Sequence, residues 1–220
     1  MEIIKEVLDV FLHLNEHLGY WINDYGVWIY AILFLIIFVE TGLVVMPLLP
    51  GDSLLFAAGA LAASHGGLNL FILIPLLIAA ALLGDNTNYF IGKLFGNYIK
   101  SKEKILFLKR KHIEKTEAYY EKYGGKTIII ARFVPIVRTV APFVAGAGSM
   151  PYKKYIVNCI LGAILWVGGV SILGYICGNI PFVKNNFEVV IFGIIGISVL
   201  PIIFEFVKSK MKKNEENIEA

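Results

Sequence analysis

The chain has 220 residues, 57% of them hydrophobic and 17% charged, with a net charge of +3, and its mean hydropathy is +0.71. That balance excludes an ordinary soluble domain and gives no basic footprint for nucleic acid; it points to an all-α polytopic membrane protein. Cys159 and Cys177 fall in one apolar run, so neither a disulfide framework nor a metal site is expected.

In chain order, the opening residues MEIIKEVLDV are acidic and lack the basic start of a secretory signal peptide. Ile3, Ile4, Val7, Val10, Phe11 and Leu14 share one helical face, which predicts an amphipathic helix over 1–24, on the membrane or on the bundle. A single membrane domain is expected over 25–207, followed by a tail at 208–220. Uncharged runs cover 25–39, 53–84, 155–183 and 189–204, and a crossing helix needs about 20 apolar residues.

Charge sets the expected topology. Lys100 to Lys126 holds nine Lys/Arg against four Glu, and Lys208, Lys210, Lys212 and Lys213 make a second basic cluster. The positive-inside rule places both, the loop at 97–126 and the tail, in the cytoplasm. A helix is expected over 102–122, with lysines that reach anionic lipid. The runs around 155–177 and 187–206 then go out and back, joined outside by GNIPFVKNNF. Both ends of the stretch before them lie inside, which predicts a re-entrant hairpin at about 127–150 that turns at Pro135 and Pro142. With a cytoplasmic N-terminus, 26–40 goes out and 68–95 returns. A second, opposed hairpin at about 41–64 is then expected, broken at Pro47, Pro50 and Gly51. An offset of 88 aligns Pro47 with Pro135, Pro50 with Arg138, and AAGA (57–60) with AGAG (145–148), the layout of an inverted repeat.

Four ionisable residues fall in these hairpins: Glu40, Asp52, Arg132 and Arg138. A charge at the bilayer centre costs about 3 kcal/mol, so such residues are paired and mark function. Acids in one half and arginines in the other predict mutual pairing where the halves meet. The plainer reading puts Glu40 and Asp52 in water at helix ends, with Asp52 as an N-cap, and lets Arg132 and Arg138 snorkel to headgroups. The functional reading has firmer chemistry. The guanidinium fork matches phosphate, and broken helices aim free N–H groups at an anion. Burial favours the neutral form of a carboxylate, so Glu40 and Asp52 can carry protons, and protonation would release an arginine.

Further along, GDNTNYFIGKLFG places Asp85, Tyr89 and Gly92 on one helical face, with Gly92 and Gly96 spaced for close packing. Asp85, with Tyr89 beside it, is either a secondary site residue or a helix-end residue; Lys93 is expected to snorkel. His13, His17, His65 and His112 show no ligand spacing. Trp21, Trp28 and Trp166 read as interfacial anchors.

Taken together, ETG…PLLPGDSLL (40–55), GDNTNYFIGKLFG (84–96) and ARFVPIVRTVAPFVAGAGSM (131–150) resemble the DedA family, the bacterial branch of the SNARE-associated or VTT-domain membrane proteins. The resemblance covers residues 25–180, most of the chain. It implies opposed re-entrant hairpins, functional acids at Glu40 and Asp52, and functional arginines at Arg132 and Arg138. It also implies lipid translocation: recycling of undecaprenyl phosphate or movement of phosphatidylethanolamine, often driven by the proton motive force, and scrambling in eukaryotic relatives.

The expected function is a flippase for a polyprenyl phosphate, undecaprenyl phosphate first, in the bacterial cytoplasmic membrane with both termini inside. The alternatives are a phosphatidylethanolamine or general phospholipid flippase or scramblase, and a proton-coupled small-ion antiporter that uses the same carboxylates. An enzyme is not expected, because neither hairpin holds a histidine and no Ser–His or Cys–His pairing is visible. The expected partners are an anionic lipid phosphate, protons and membrane lipids, without cofactor, metal or nucleic acid; a homo-oligomer stays open.

Overall fold

A computed structural model describes residues 26–42, 51–64, 68–100, 104–105, 108–109, 120, 124–148, 150–181, 183 and 193. The amphipathic helix expected over 1–24, Pro47, Pro50 and the tail at 208–220 lie outside the described residues.

The described chain is a helical bundle. Helix α1 is Trp28–Gly42, α2 is Gly51–Ser64 and α3 is Leu70–Lys100. Then follow α4, Lys126–Ala131, and α5, Pro135–Ala147. Helix α6, Tyr152–Ala163, continues through a π-helical turn, Ile164–Gly168, into α7, Gly169–Gly178. The apolar stretches Leu70–Phe95 and Tyr152–Gly178 hold 26 and 27 residues. At about 1.5 Å per residue each exceeds a hydrocarbon core of about 30 Å.

Local chemistry explains the boundaries. Asn69 starts α3, its Oδ1 accepting the Phe71 N–H at 2.9 Å. Proline forbids a helical residue before it, and Val134 is extended at φ −116 and ψ 109 with Pro135 opening α5. The break between α4 and α5 therefore spans 132–134. Pro142, expected to break the hairpin as well, lies inside α5. The helix expected over 102–122 is also corrected: Lys104–Ile105 (β1) and Leu108–Lys109 (β2) form a two-residue antiparallel ladder. This is a tight reversal that a continuous helix cannot contain.

Burial follows the helical period. On α1, Ile29, Leu33 and Ile37 recur every fourth residue and are buried, and Glu40 continues the same stripe. The stripe packs on Leu55 and Leu61 of α2 and on Leu73 and Leu77 of α3. A second core gathers Tyr89, Ile128, Ala131, Ala141, Tyr155 and Cys159. The outer faces stay apolar: Phe71 is 89% exposed and Leu94 80%, a surface suited to lipid rather than water.

The halves of the chain exchange their short helices. Helix α2 lies on α7 and α5 lies on α3, and both crossings have one construction. A side chain at Gly59 would strike the Ser171 carbonyl, and one at Gly174 the Phe56 carbonyl. In the other crossing, Gly146 faces the Tyr89 carbonyl and Gly92 the Phe143 carbonyl. Phe56 and Gly59 map onto Phe143 and Gly146 by a shift of 87, one residue from the offset expected; Tyr89 and Gly92 map onto Ser171 and Gly174 by 82. Missing side chains let each backbone touch the other, so each half is clamped by the short helix of the other.

Candidate functional site

Buried charge collects where the halves meet. Arg138 stands in the first turn of α5, its N–H bonded to the Val134 carbonyl at 2.8 Å. Its Nη2 donates to Glu40 Oε1 at 2.8 Å and its Nη1 to Asp52 Oδ1 at 2.9 Å. Glu40 closes the buried stripe of α1, and Asp52 lies in the first turn of α2, where the helix dipole favours an acid. Gly51 has no side chain because one would run into the Glu40 carboxylate. One guanidinium thus ties α5 to α1 and α2 of the opposite half.

Arg132 lies in the break before Pro135 and turns the other way. Its Nη2 pairs with Asp85 Oδ2 and donates to Cys159 Sγ at 3.3 Å. The Cys159 thiol donates to the same carboxylate oxygen at 3.1 Å, and the Tyr155 hydroxyl to the Asp85 carbonyl at 2.9 Å. Tyr89, one turn beyond Asp85, stacks on Tyr155 with centroids 4.4 Å apart, and its hydroxyl donates to the Met150 carbonyl at 2.7 Å. Asn88, fully buried, donates to the Thr139 carbonyl at 2.7 Å.

Trp166 connects the two clusters. Its ring lies 4.5 Å from the Arg138 guanidinium carbon and 5.8 Å from that of Arg132, and its indole N–H donates to Asp52 Oδ1 at 2.6 Å. The network therefore runs from Glu40 and Asp52 through Arg138, Trp166 and Arg132 to Asp85 and Cys159.

The structure brings Glu40, Asp52 and Arg138 together as expected but gives Arg132 a different partner, Asp85. The reason is positional: Arg132 opens the break and faces α3 and α6, while Arg138 follows it. The aqueous reading of Glu40 and the snorkel reading of the arginines are excluded, since Glu40 is 1% exposed, Arg132 3% and Arg138 6%. Asp52 is the open member, its side chain 24% exposed. Asp85 is a buried mid-helix residue, not a helix end. Trp166, read from sequence as an interfacial anchor, is 2% exposed inside the bundle. It sits mid-run, away from the ends where anchors belong, and that was the available signal. Tyr155, Cys159 and Trp166, spaced i, i+4 and i+11, likewise share a stripe that sequence reading passed over.

The chemical capacity of the site follows from its charges and open donors. Three carboxylates, Glu40, Asp52 and Asp85, face two guanidiniums. Among the described residues, the donors Arg138 Nε and Arg132 Nε and Nη1 are buried without a hydrogen-bond partner. Unmatched buried donors are costly, and these are the groups that an oxyanion would satisfy. The acids are engaged with the guanidiniums, and among the described residues no three His, Cys, Asp or Glu side chains converge as metal ligands.

Comparison with known proteins places this geometry. A family model described as the VTT domain matches residues 49–176. The protein DedA of Escherichia coli K12 is 50% identical over 211 residues, covering 96% of each chain. An uncharacterised membrane protein of Mycobacterium leprae is 44% identical over 185 residues, 83% of this chain and 82% of that one. The inner membrane protein YghB of Escherichia coli K12 is 35% identical over 158 residues, 72% of each chain. No solved structure matches.

Proposed function

The chain belongs to the DedA family of VTT-domain membrane proteins, and we propose that it is a flippase for a lipid phosphate, undecaprenyl phosphate first, coupled to protons in the cytoplasmic membrane. In this reading the stretch at about 41–64, which contains α2, and the stretch at about 127–150, which contains α5, are the two opposed re-entrant hairpins, and the network where they meet is the transport site.

The observation that carries the proposal is the pair of guanidiniums, buried in an apolar bundle, with donors to spare beside carboxylates that compete for them. Arginine presents a planar fork that suits phosphate. An anion entering beside three carboxylates and two guanidiniums would add charge to an already acidic site. Proton uptake by a carboxylate offsets that charge and frees the guanidinium it held. Asp52 is the most exposed of the three acids and Glu40 the most buried. The reciprocal glycine crossings support alternating access, because equivalent contacts on both halves allow the site to open to either face.

The test is transport in proteoliposomes with labelled undecaprenyl phosphate and labelled phosphatidylethanolamine, with and without a pH gradient. Flipping of the polyprenyl phosphate that is accelerated by the gradient and lost in Glu40→Gln supports the reading. Flipping of phosphatidylethanolamine alone moves the substrate to a phospholipid. Transport of either lipid that is insensitive to both Glu40→Gln and Asp52→Asn removes proton coupling. Ion flux that needs Glu40, without flipping of either lipid, favours an antiporter.

A further inference from the structure

Trp166 stands at the centre of the π-helical turn Ile164–Gly168, inside a segment that is otherwise α-helical from Tyr152 to Gly178. A π turn has poorer hydrogen-bond geometry than the α-helix around it, and single turns of this kind gather at functional positions. Here the turn holds a residue whose ring lies beside both arginines. The Trp166 ring stacks on Arg138 at 4.5 Å and borders Arg132 at 5.8 Å, while its N–H bonds Asp52 at 2.6 Å. Asp52 Oδ1 accepts from Trp166 and Arg138 at once.

We propose that Trp166 is a positioning residue: it fixes the open carboxylate, Asp52, against Arg138 and passes a change at Asp52 to the arginine pair. With Asp52 in place, the indole N–H and Arg138 Nη1 both point at Oδ1. Where that carboxylate is lost, Arg138 is left to the ring face and to Glu40. The ring favours a guanidinium without supplying a charge of its own, so it can hold Arg138 while its carboxylate partners change. The charged groups that bear on this arrangement are Glu40 of α1, Asp52 of α2, Arg138 of α5 and Arg132 of the break, with Asp85 of α3 behind Arg132. The transport consequence rests on the function proposed above; the link between Trp166 and Asp52 does not.

The experiment uses the full chain with Trp21→Phe and Trp28→Phe, which leaves Trp166 as the sole tryptophan of three. Its emission is compared between this chain and its Asp52→Asn variant in lipid nanodiscs. The expected result is a Trp166 spectrum that shifts when Asp52 is replaced, because the indole N–H loses its charged acceptor. A spectrum that Asp52→Asn leaves unchanged overturns the proposal.

A second arm compares Trp166→Phe, which keeps a ring but loses the donor, with Trp166→Leu, which loses both. In the lipid-flipping assay Trp166→Phe is expected to keep its best rate within about threefold while the pH profile moves, as loss of one hydrogen bond implies. Trp166→Leu is expected to lose about tenfold or more, since the stack goes too. Equal losses in both variants with an unmoved pH profile reduce Trp166 to packing and overturn the proposal. If the wild-type chain flips neither lipid, the flippase reading falls while the emission comparison still decides the role of Trp166.

Discussion

Arg132 and Arg138 stand six residues apart and carry the same group, yet the fold uses them differently. Arg138 is shared between two acids on two helices, one of them partly open to the outside. Arg132 is enclosed with a single acid, a thiol and a tyrosine-lined wall, all nearly inaccessible. A guanidinium with two partners can exchange one of them at small cost, whereas one closed around a single carboxylate resists change. Arg138 is thus the adjustable element of the network and Arg132 the anchored one.

The largest expected effect comes from splitting the anchored pair. Asp85→Ala leaves Arg132 buried and uncompensated and should cost about 3–5 kcal/mol. Adding Arg132→Leu to it should restore part of that loss, as read by thermal unfolding in detergent. Equal stability of single and double variants would show that the enclosure is not electrostatic.

Enlarging the crossing glycines comes next. Gly59→Leu and Gly146→Leu should each destabilise by about 1–3 kcal/mol, and by similar amounts, because their contacts are equivalent. A large difference between them would mean that the halves bear unequal loads.

At the adjustable end, Arg138→Lys should fold but flip lipid about tenfold more slowly, since one ammonium cannot reproduce the fork that reaches Glu40 and Asp52 together. A wild-type rate would reduce Arg138 to a point charge. The smallest effect is expected for Asp52→Asn on stability, about 1 kcal/mol, because the open acid retains water as a partner. A loss as large as that of Asp85→Ala would put Asp52 in the anchored class.

Much of this arrangement was legible in the sequence, for identifiable reasons. Apolar runs and the density of glycine and proline exposed the helices and the break before Pro135. Buried charge is expensive enough that Glu40, Asp52, Arg132 and Arg138 were conspicuous in their surroundings. What could not be read was which arginine meets which acid, since that depends on how the break at 132–134 turns the chain. Pro142 was misread because a proline can be tolerated inside a packed helix. Trp166 was misread because tryptophan at membrane depth has an ordinary role as an anchor, although its spacing from Tyr155 and Cys159 places it on their buried stripe. The family motif located the site, and side-chain geometry divided it into two ends.

The reciprocal crossings also impose a schedule on biosynthesis. Gly59 leaves the ribosome 112 residues before Ser171, its partner in the finished bundle, whereas Gly92 precedes Phe143 by only 51. At about 5–20 residues per second, α2 waits on the order of ten seconds for α7. Asp52 itself is made 86 residues before Arg138 and 114 before Trp166. The first half is therefore made with its acid unpaired, and Asp52 gains its partners only as the second half arrives.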